Sequence, residues 1–360
     1  MNDRRTPTIA VLDGGLFTTV QDLGRVRYQR FGVAVSGAMD SFAIRAANRL
    51  VGNPDTAAGL EATLLGPEVQ FAQSGLIAVT GAHLGPCLDG RPIQMWRTIA
   101  VRAGSVLSFS GQRDGTRAYV AIGGGIDVPV VLGSRSTSTR TGLGGFEGRP
   151  VRAGDTLPLG EPTRETAAAR RAMRASAIPS YGHQHHVRVV LGPQDDAFSD
   201  QGRSTFLTAA YTMTPQSDRI GCRFDGPRIA HRTTADIVSD GTTFGIVQVS
   251  GDGMPIVLMA DRGTTGGYTK IATVISADLW RLAQAAPGDQ VRFGAVDLDQ
   301  ACLRLREVEA VLDALVAPER ARPAAPAEAI YDEDAGSELA ADGCGDLADA
   351  LEQTRRGRDR

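Results

Sequence analysis

The residues best equipped for chemistry gather in one decapeptide, DRGTTGGYTK at 261–270, which holds an acid, a base, a phenol, three threonines, three glycines and the only lysine of the chain. Every other member of the 38 Lys and Arg residues is arginine. Arg presents a rigid planar fork and Lys a compact charge with three rotatable donors, so a site built for the second rejects the first. Consecutive Gly266 and Gly267 permit positive φ and close backbone approach, exposing N–H groups able to hold an anionic oxygen. If the chain then straightens, strand alternation sends Tyr268 and Lys270 to one face, beside Thr264 and Thr265. With Asp261 and Arg262 adjacent, such a set can stabilise charge developing on a carbonyl, ureido or phosphoryl oxygen. Two blander readings stand beside it: Asp261 and Arg262 pair locally while the glycines only turn the chain, and Lys270 is a chance survivor.

Two further segments carry polar groups at suggestive spacing. In GSRSTSTRTGLGGFEGR (133–149), Arg135 and Arg140 with Ser136, Thr137 and Thr139 suit a carboxylate or phosphate, although a solvated loop reads the same way. TTVQDLGR (18–25), SGAMD (36–40) and LEATLLGP supply Gln21, Asp22, Arg25, Ser36, Asp40 and Glu61 as substrate-facing candidates. Asp22 with Arg25 equally reads as a structural pair, and Asp40 as a helix cap. HQHH at 183–186 has spacing for two metal ligands, but no acid or Cys lies within the stretch, so no metal site is expected. There is no GxSxG elbow, Ile271 after Lys270 rules out a P-loop, and the glycine spacing at 133–149 is not a dinucleotide fingerprint.

The 360 residues, 42% hydrophobic and 22% charged with a formal charge of −3, fit an ordinary globular protein of two domains. A charge so near zero, with no basic cluster on a recognisable motif, argues against nucleic acid as a partner. The start, MNDRRTPTIAVLDGG, lacks the apolar core of a signal peptide, and no run of roughly 18 apolar residues exists to cross a bilayer. A cytoplasmic chain without membrane contact is expected. Cys87, Cys222, Cys302 and Cys344 lie far apart and read as reduced and structural.

These groups must be positioned by short β-rich runs broken by Gly, Pro and Asp up to about residue 160. One helix interrupts them at DSFAIRAANRLV (40–51), capped by Asp40 and stopped by Gly52-Asn53-Pro54. Residues 161–185 read as a linker with a short surface helix. A second β-rich block (186–316) contains a helix at SADLWRLAQAA (276–286), capped by Ser276, and ends in the helical DQACLRLREVEAVLDAL. The tail, 317–360, is rich in Ala, Pro, Asp and Glu and reads as disordered. GPEVQF, DGRPI and AGSVLSF recur in order as GPRIAH, DGMPI and PGDQVRF, which suggests a duplicated β-barrel. The interval Gly90 to Gly104 becomes Gly253 to Gly288 in the second copy, so 261–270 belongs to an insertion, and inserted loops on a rigid scaffold tend to carry function.

Several long motifs then fall into one pattern: GLFTTVQDLGR, GVAVSGAMDSFAIRAANRLVGN, LEATLLGPEVQF, GGGIDVPVVLGSRSTSTR, GGFEGRPVRAGDTLP, DRIGCRFDGP and GDGMPIVLMADRGTTGGYTKIATVISADL. Over about residues 8–296 the chain resembles the family that unites the 5-oxoprolinase C-type subunits, allophanate hydrolase subunit 2 and the second part of the urea amidolyase carboxyltransferase region. That resemblance implies a mainly β fold of two tandem cyclophilin-like β-barrel domains (1–160 and 186–316) with a few short helices. It also implies a homologous partner, of the oxoprolinase B type or the allophanate hydrolase subunit 1 type, and a third, hydrolytic subunit. Two chemistries follow from it: ATP-dependent activation of the lactam carbonyl of 5-oxoproline for hydrolysis to glutamate, with ATP in the complex or on the partner, or carboxyl transfer from biotin carried on another chain to urea or a similar small amide. A third implication is non-catalytic, a regulator that binds a kinase-inhibitor-like partner. No biotin-acceptor motif surrounds the sole Lys, and the length favours the oxoprolinase arrangement.

Overall fold

The computed structural model describes residues 7–162 and 171–315. The first part runs β1 (Thr8–Asp13), β2 (Phe17–Gln21), α1 (Ser41–Val51), β3 (Gly59–Thr63), β4 (Glu68–Phe71), β5 (Gly75–His83), β6 (Pro86–Leu88), β7 (Arg91–Pro92), β8 (Ile99–Val101), β9 (Val106–Phe109), β10 (Asp114–Ile122) and β11 (Thr156–Pro158). The second runs β12 (Gln184–Leu191), α2 (Asp200–Thr208), β13 (Ala210–Met213), β14 (Gly221–Asp225), β15 (Asp236–Gly241), β16 (Ile246–Val249), β17 (Pro255–Leu258), β18 (Thr265–Tyr268), β19 (Lys270–Val274), α3 (Leu279–Gln284), β20 (Gln290–Ala295) and α4 (Leu298–Ala314). The chain is mainly β, as its turn-punctuated sequence predicts.

In the first part a six-stranded sheet, β11-β1-β4-β9-β6-β7, faces a five-stranded one, β2-β3-β10-β5-β8. Ile9, Val69, Phe71 and Leu107 from one sheet and Val20, Leu60, Val79 and Val120 from the other share a single buried core. In the second part hydrogen bonding closes a seven-stranded barrel, β12-β19-β16-β17-β14-β13-β20. Strand alternation fills it: His185, Val187 and Val189 of β12 point inward between more exposed neighbours, as do Val291 and Phe293 of β20. The Phe206 and Phe293 rings stack inside at 4.7 Å. β15 and β18 stand apart as a two-stranded flap.

Helix α1 forms as its sequence demands. The Asp40 carboxylate accepts from the Ala43 N–H, Gly52 closes the helix with φ of 77°, and Phe42, Ile44, Ala47, Leu50 and Val51 are buried. Other expectations shift. Ser276 does not cap a helix; Ser276–Asp278 is a 3-10 turn, and α3 begins only at Leu279 because the Asp278 carboxylate is taken by the Arg188 backbone and guanidinium. The short helix expected within 161–185 falls partly on residues 163–170, outside the described residues; of the rest, Ala172 bridges to Arg97, Met173 and Ala177 are buried, and a 3-10 turn spans Ala175–Ala177. Helix α2 is invisible to apolar periodicity, since only Gly202 and Phe206 are buried in it. Gly202 is there because a Cβ would meet the Ala230 carbonyl oxygen at 2.3 Å. The repeat is mirrored only in part: GPEVQF ends in β4, whereas GPRIAH contributes only the isolated bridge of His231 to Phe198. The tail beyond 315, Cys344 included, lies outside the described residues.

The two parts are joined tightly. Met39, just before α1, is buried in the barrel core. Gln284 of α3 accepts from the Thr116 and Arg117 N–H groups and donates to Asp40 and the Arg117 carbonyl. Helix α4 returns to α1, where Arg45 meets Glu309 at 2.6 Å, Arg49 meets Asp313 at 2.8 Å, and Leu312 enters the α1 core.

Candidate functional site

The decapeptide does not assemble as its spacing suggests. Gly266 and Gly267 lack positive φ and sit in β18, where Gly266 pairs with Asp240 and Thr265 with Gly241 of β15. Close approach does hold at Gly266, where a Cβ would meet the Gln248 amide at 2.4 Å. Tyr268 is 39% exposed on the flap, while Lys270 is fully buried as the first residue of barrel strand β19, so the two do not share a face. Tyr268 pairs with Asp236 of the flap and Lys270 with Gln248 of the barrel, so the two residues belong to different sheets. Lys270 Nζ donates to Asp240 Oδ2 at 2.7 Å, and this bond pulls the Asp240 carboxyl below its usual range. The sole lysine therefore ties the flap to the barrel. At the end of the flap, beside the Gly241–Thr265 pair, the Thr242 hydroxyl donates to the Gly263 carbonyl. Thr264 offers its own carbonyl to the Thr242 N–H, and the Thr265 side chain faces solvent.

Nor do Asp261 and Arg262 pair locally. Asp261 accepts from Arg219 at 2.8 and 3.2 Å, and Arg219 reaches across the junction to Glu61 Oε1 and, at 2.7 Å, to the Gly37 carbonyl. Glu61 Oε2 accepts from the Met39 N–H and the Tyr119 hydroxyl, each at 2.8 Å, and that hydroxyl in turn accepts from the Asp40 N–H. Burial opposes the Arg219 charge, but Glu61 and Asp261 hold its pKa above the usual value. Burial pushes the Asp40 carboxyl up to about 6, against hydrogen bonds from Gln284 and Ala43, and raises the Tyr119 phenol strongly. Arg219, Tyr119 and Gln284 escape sequence reasoning. Arg219 is one arginine among many, and only its place inside DRIGCRFDGP marks it.

The 133–149 segment turns its polar groups inward to hold the 18–25 segment. Asp22 accepts from the Ser134 and Ser136 hydroxyls and from the Gly24 and Arg135 N–H groups. Thr137 gives its hydroxyl to the Val20 carbonyl, and the Gln21 amide donates to Thr19 and the Thr137 carbonyl. The Arg135 guanidinium meets Asp127 and the Val128 carbonyl, while Thr139 and Arg140 are both exposed on a turn. Ser136, Thr137 and Asp22 are consumed by these contacts, so no anion cradle forms there.

Several side chains keep unused polar atoms in buried positions, Gln21 Oε1 and Arg117 Nε among them, and three supply donors near the Arg219 clamp. Arg25, 1% exposed, gives one Nη2 bond to the Ser136 carbonyl, and its Nε and Nη1 have no partner. Arg262, 6% exposed, donates to the Met259 carbonyl and lies 5.7 Å from the Phe244 ring, with its Nε unused. Ser36 is buried at φ of 55° with its hydroxyl unpartnered. Burial lowers the pKa of both arginines, that of Arg262 to about 10, and Asp261 opposes the shift in each. A buried, incompletely bonded guanidinium is costly unless something anionic completes it.

Elsewhere, His183 Nδ1 and His185 Nε2 both meet the Asp289 carboxylate, at 2.8 and 3.2 Å, so the histidine cluster is engaged by an acid distant in sequence. Among the described residues no group of three or more His, Cys, Asp or Glu is arranged to hold a metal ion. An apolar groove of about 440 Å³ between β12, β19 and α4, lined by Leu191, Ile275, Leu298 and Leu305, contains no charged side chain. No helix among the described residues is long and apolar enough to cross a membrane.

Comparison with known proteins narrows what this junction serves. The family model described as carboxyltransferase domain, subdomain A and B, matches residues 31–295. A 5-oxoprolinase C subunit of Escherichia coli (strain K12) is 37% identical over 293 residues, covering 81% of this chain and 93% of that one. The urea amidolyase of Saccharomyces cerevisiae is 34% identical over 298 residues, covering 78% of this chain but 16% of that one. The crystal structure of the K. lactis urea amidolyase superposes with a TM-score of 0.82 at 31% identity, over 87% of this chain and 20% of that one.

Proposed function

This chain belongs to the carboxyltransferase family of subdomains A and B, and from that membership we propose that it is the C-type component of an ATP-dependent 5-oxoprolinase. It would act in the cytoplasm with a B-type companion and a third, hydrolytic subunit. The observation that carries the reading is the match itself: 37% identity over 293 residues, through 93% of the E. coli oxoprolinase component, against 34% to the urea amidolyase. In this reading, ATP activates the lactam carbonyl, and the chain supplies buried, preorganised donors that hold the charged groups of the substrate in a water-poor junction.

Lys270 does not suit biotin attachment, because its side chain is fully buried and ion-paired. ATP is bound within the complex, on this chain or on the B-type companion. The catalytic assignment of Lys270 and Tyr268 gives way to a positioning role for Lys270, while Arg25, Ser36 and Arg262 face the substrate.

The K. lactis superposition favours a second reading, the carboxyltransferase component of a biotin-dependent urea or amide carboxylase, with biotin delivered on another chain. The deciding experiment is ADP release by the complex reconstituted with its companion subunits, with and without 5-oxoproline and with and without avidin. Turnover that requires 5-oxoproline and ignores avidin supports the oxoprolinase reading. Silence with 5-oxoproline, together with avidin-sensitive turnover of urea, overturns it in favour of carboxyl transfer.

A further inference from the structure

Among the buried arginines, Arg219 is fully used, with four bonds to Glu61, Asp261 and Gly37. Arg25, Arg117 and Arg262 each keep at least one unpartnered nitrogen. Arg117 donates through Nη1 to the Ala283 carbonyl between the two parts, whereas Arg25 and Arg262 come from opposite parts of the chain. A continuous set of contacts links them. Gly24 packs on the Ser36 carbonyl, so closely that a Cβ would sit 2.8 Å from it, and the Arg25 N–H donates to the Val35 carbonyl. Nearby, the Gly37 carbonyl takes Arg219, and Arg219 holds Asp261, the residue before Arg262.

The carboxylates of this region are already committed. Asp22 accepts four donors, and the Asp261 oxygens both face Arg219. Neither makes a hydrogen bond to Arg25 or Arg262. What remains is a set of donors, Arg25 Nε and Nη1, Arg262 Nε and the Ser36 hydroxyl, with no acceptor. Ser36 is held at left-handed φ without being glycine, a conformation that the surrounding bonds must impose. A planar carboxylate, with about four lone-pair sites, is the ligand whose geometry uses guanidinium and hydroxyl donors together.

Resting on the oxoprolinase reading, we propose that Arg25, Ser36 and Arg262 form a subsite across the junction for the carboxylate of the substrate, separate from the lactam group that reacts. The subsite sets specificity: a lactam without a carboxylate leaves both guanidiniums buried and unpaired, and is rejected.

The test uses two probes, 5-oxoproline and the neutral 2-pyrrolidinone, on the reconstituted complex and on the full chain alone. In Arg25→Gln, Arg262→Gln and Ser36→Ala, each checked for an unchanged melting transition, the ratio of kcat/KM for 5-oxoproline over 2-pyrrolidinone is expected to fall at least tenfold for the arginine variants and less for Ser36→Ala. Calorimetric binding of 5-oxoproline to the full chain should weaken in parallel. Equal losses on both probes, or an unchanged ratio with unchanged binding, overturn the subsite. If the wild-type complex turns over neither probe while the chain binds 5-oxoproline through these residues, the oxoprolinase reading fails and the subsite stands. If turnover requires 5-oxoproline but ignores these substitutions, the reverse holds.

Discussion

Replacing Arg219 by Met should be among the most damaging single changes in the molecule, and the structure says by how much. The guanidinium is 8% exposed and, among the described residues, is the only cation in ion-pair contact with Glu61, 1% exposed, and Asp261, 6% exposed. Glu61 would keep the Met39 N–H and the Tyr119 hydroxyl, but the Asp261 carboxylate has no other hydrogen bond among the described residues. Removing one partner from a buried ion pair and stranding the other costs about 3–5 kcal/mol. At roughly 2–4 °C per kcal/mol for chains of this size, the melting temperature should drop by about 10 °C. Equilibrium urea unfolding of wild type and Arg219→Met measures this directly. Arg219→Lys keeps the charge, yet one ammonium cannot span Glu61, the Gly37 carbonyl and both Asp261 oxygens, so it should retain only part of the stability. A loss under about 1 kcal/mol for Arg219→Met, the range of an exposed pair, would refute the claim that this residue clamps the junction.

Two further outcomes follow from the same geometry. Burial lifts the Asp40 carboxyl to about 6, whereas an unfolded Asp titrates near 3.9. Between those values the folded chain holds the extra proton, so the Asp40 contribution to stability is greatest below about pH 4 and declines as pH rises through 6. Asp40→Asn removes that penalty and can still cap α1; relative to wild type it should gain on the order of 3 kcal/mol between pH 4 and pH 7. Denaturant midpoints at several pH values check this, and a pH-independent difference would sink it. Because Lys270 is the only lysine, an amine-reactive ester followed by peptide mass spectrometry reports one buried site without interference from other lysines. Asp240→Ala should release the flap and speed Lys270 labelling at least tenfold; equal rates would show that the pair does not anchor it.

What the sequence discloses and withholds follows from the reach of each signal. Helix α1 is legible because its determinants are local: Asp40 caps it, Gly52 ends it, and the apolar spacing between them repeats on one face. Lys270 stands out in the sequence, but its expected pairing with Tyr268 at a substrate oxygen does not survive the fold. Its partner, Asp240, lies 30 residues earlier in β15, and the division of 265–274 between flap and barrel strands leaves no mark in composition. Gln21, Asp22, Arg25, Ser36, Asp40 and Glu61 group together in the sequence reading because the 18–25 and 36–40 segments fold back on each other at the junction. Their division into consumed and unconsumed groups depends on Ser134, Ser136 and Arg219, far away in sequence.

That division decides where a substrate belongs. At the flap, the one distinctive charge is neutralised, since Lys270 is spent on Asp240. At the junction, two cations from opposite parts of the chain remain short of acceptors in places where water is largely excluded. An anionic ligand gains little by competing for Lys270, since it must first displace a carboxylate at 2.7 Å. It gains much by completing Arg25 and Arg262, whose charges are otherwise opposed by burial. On the proposed subsite, recognition falls to the seam that Arg219 clamps, and the flap takes no direct part in it.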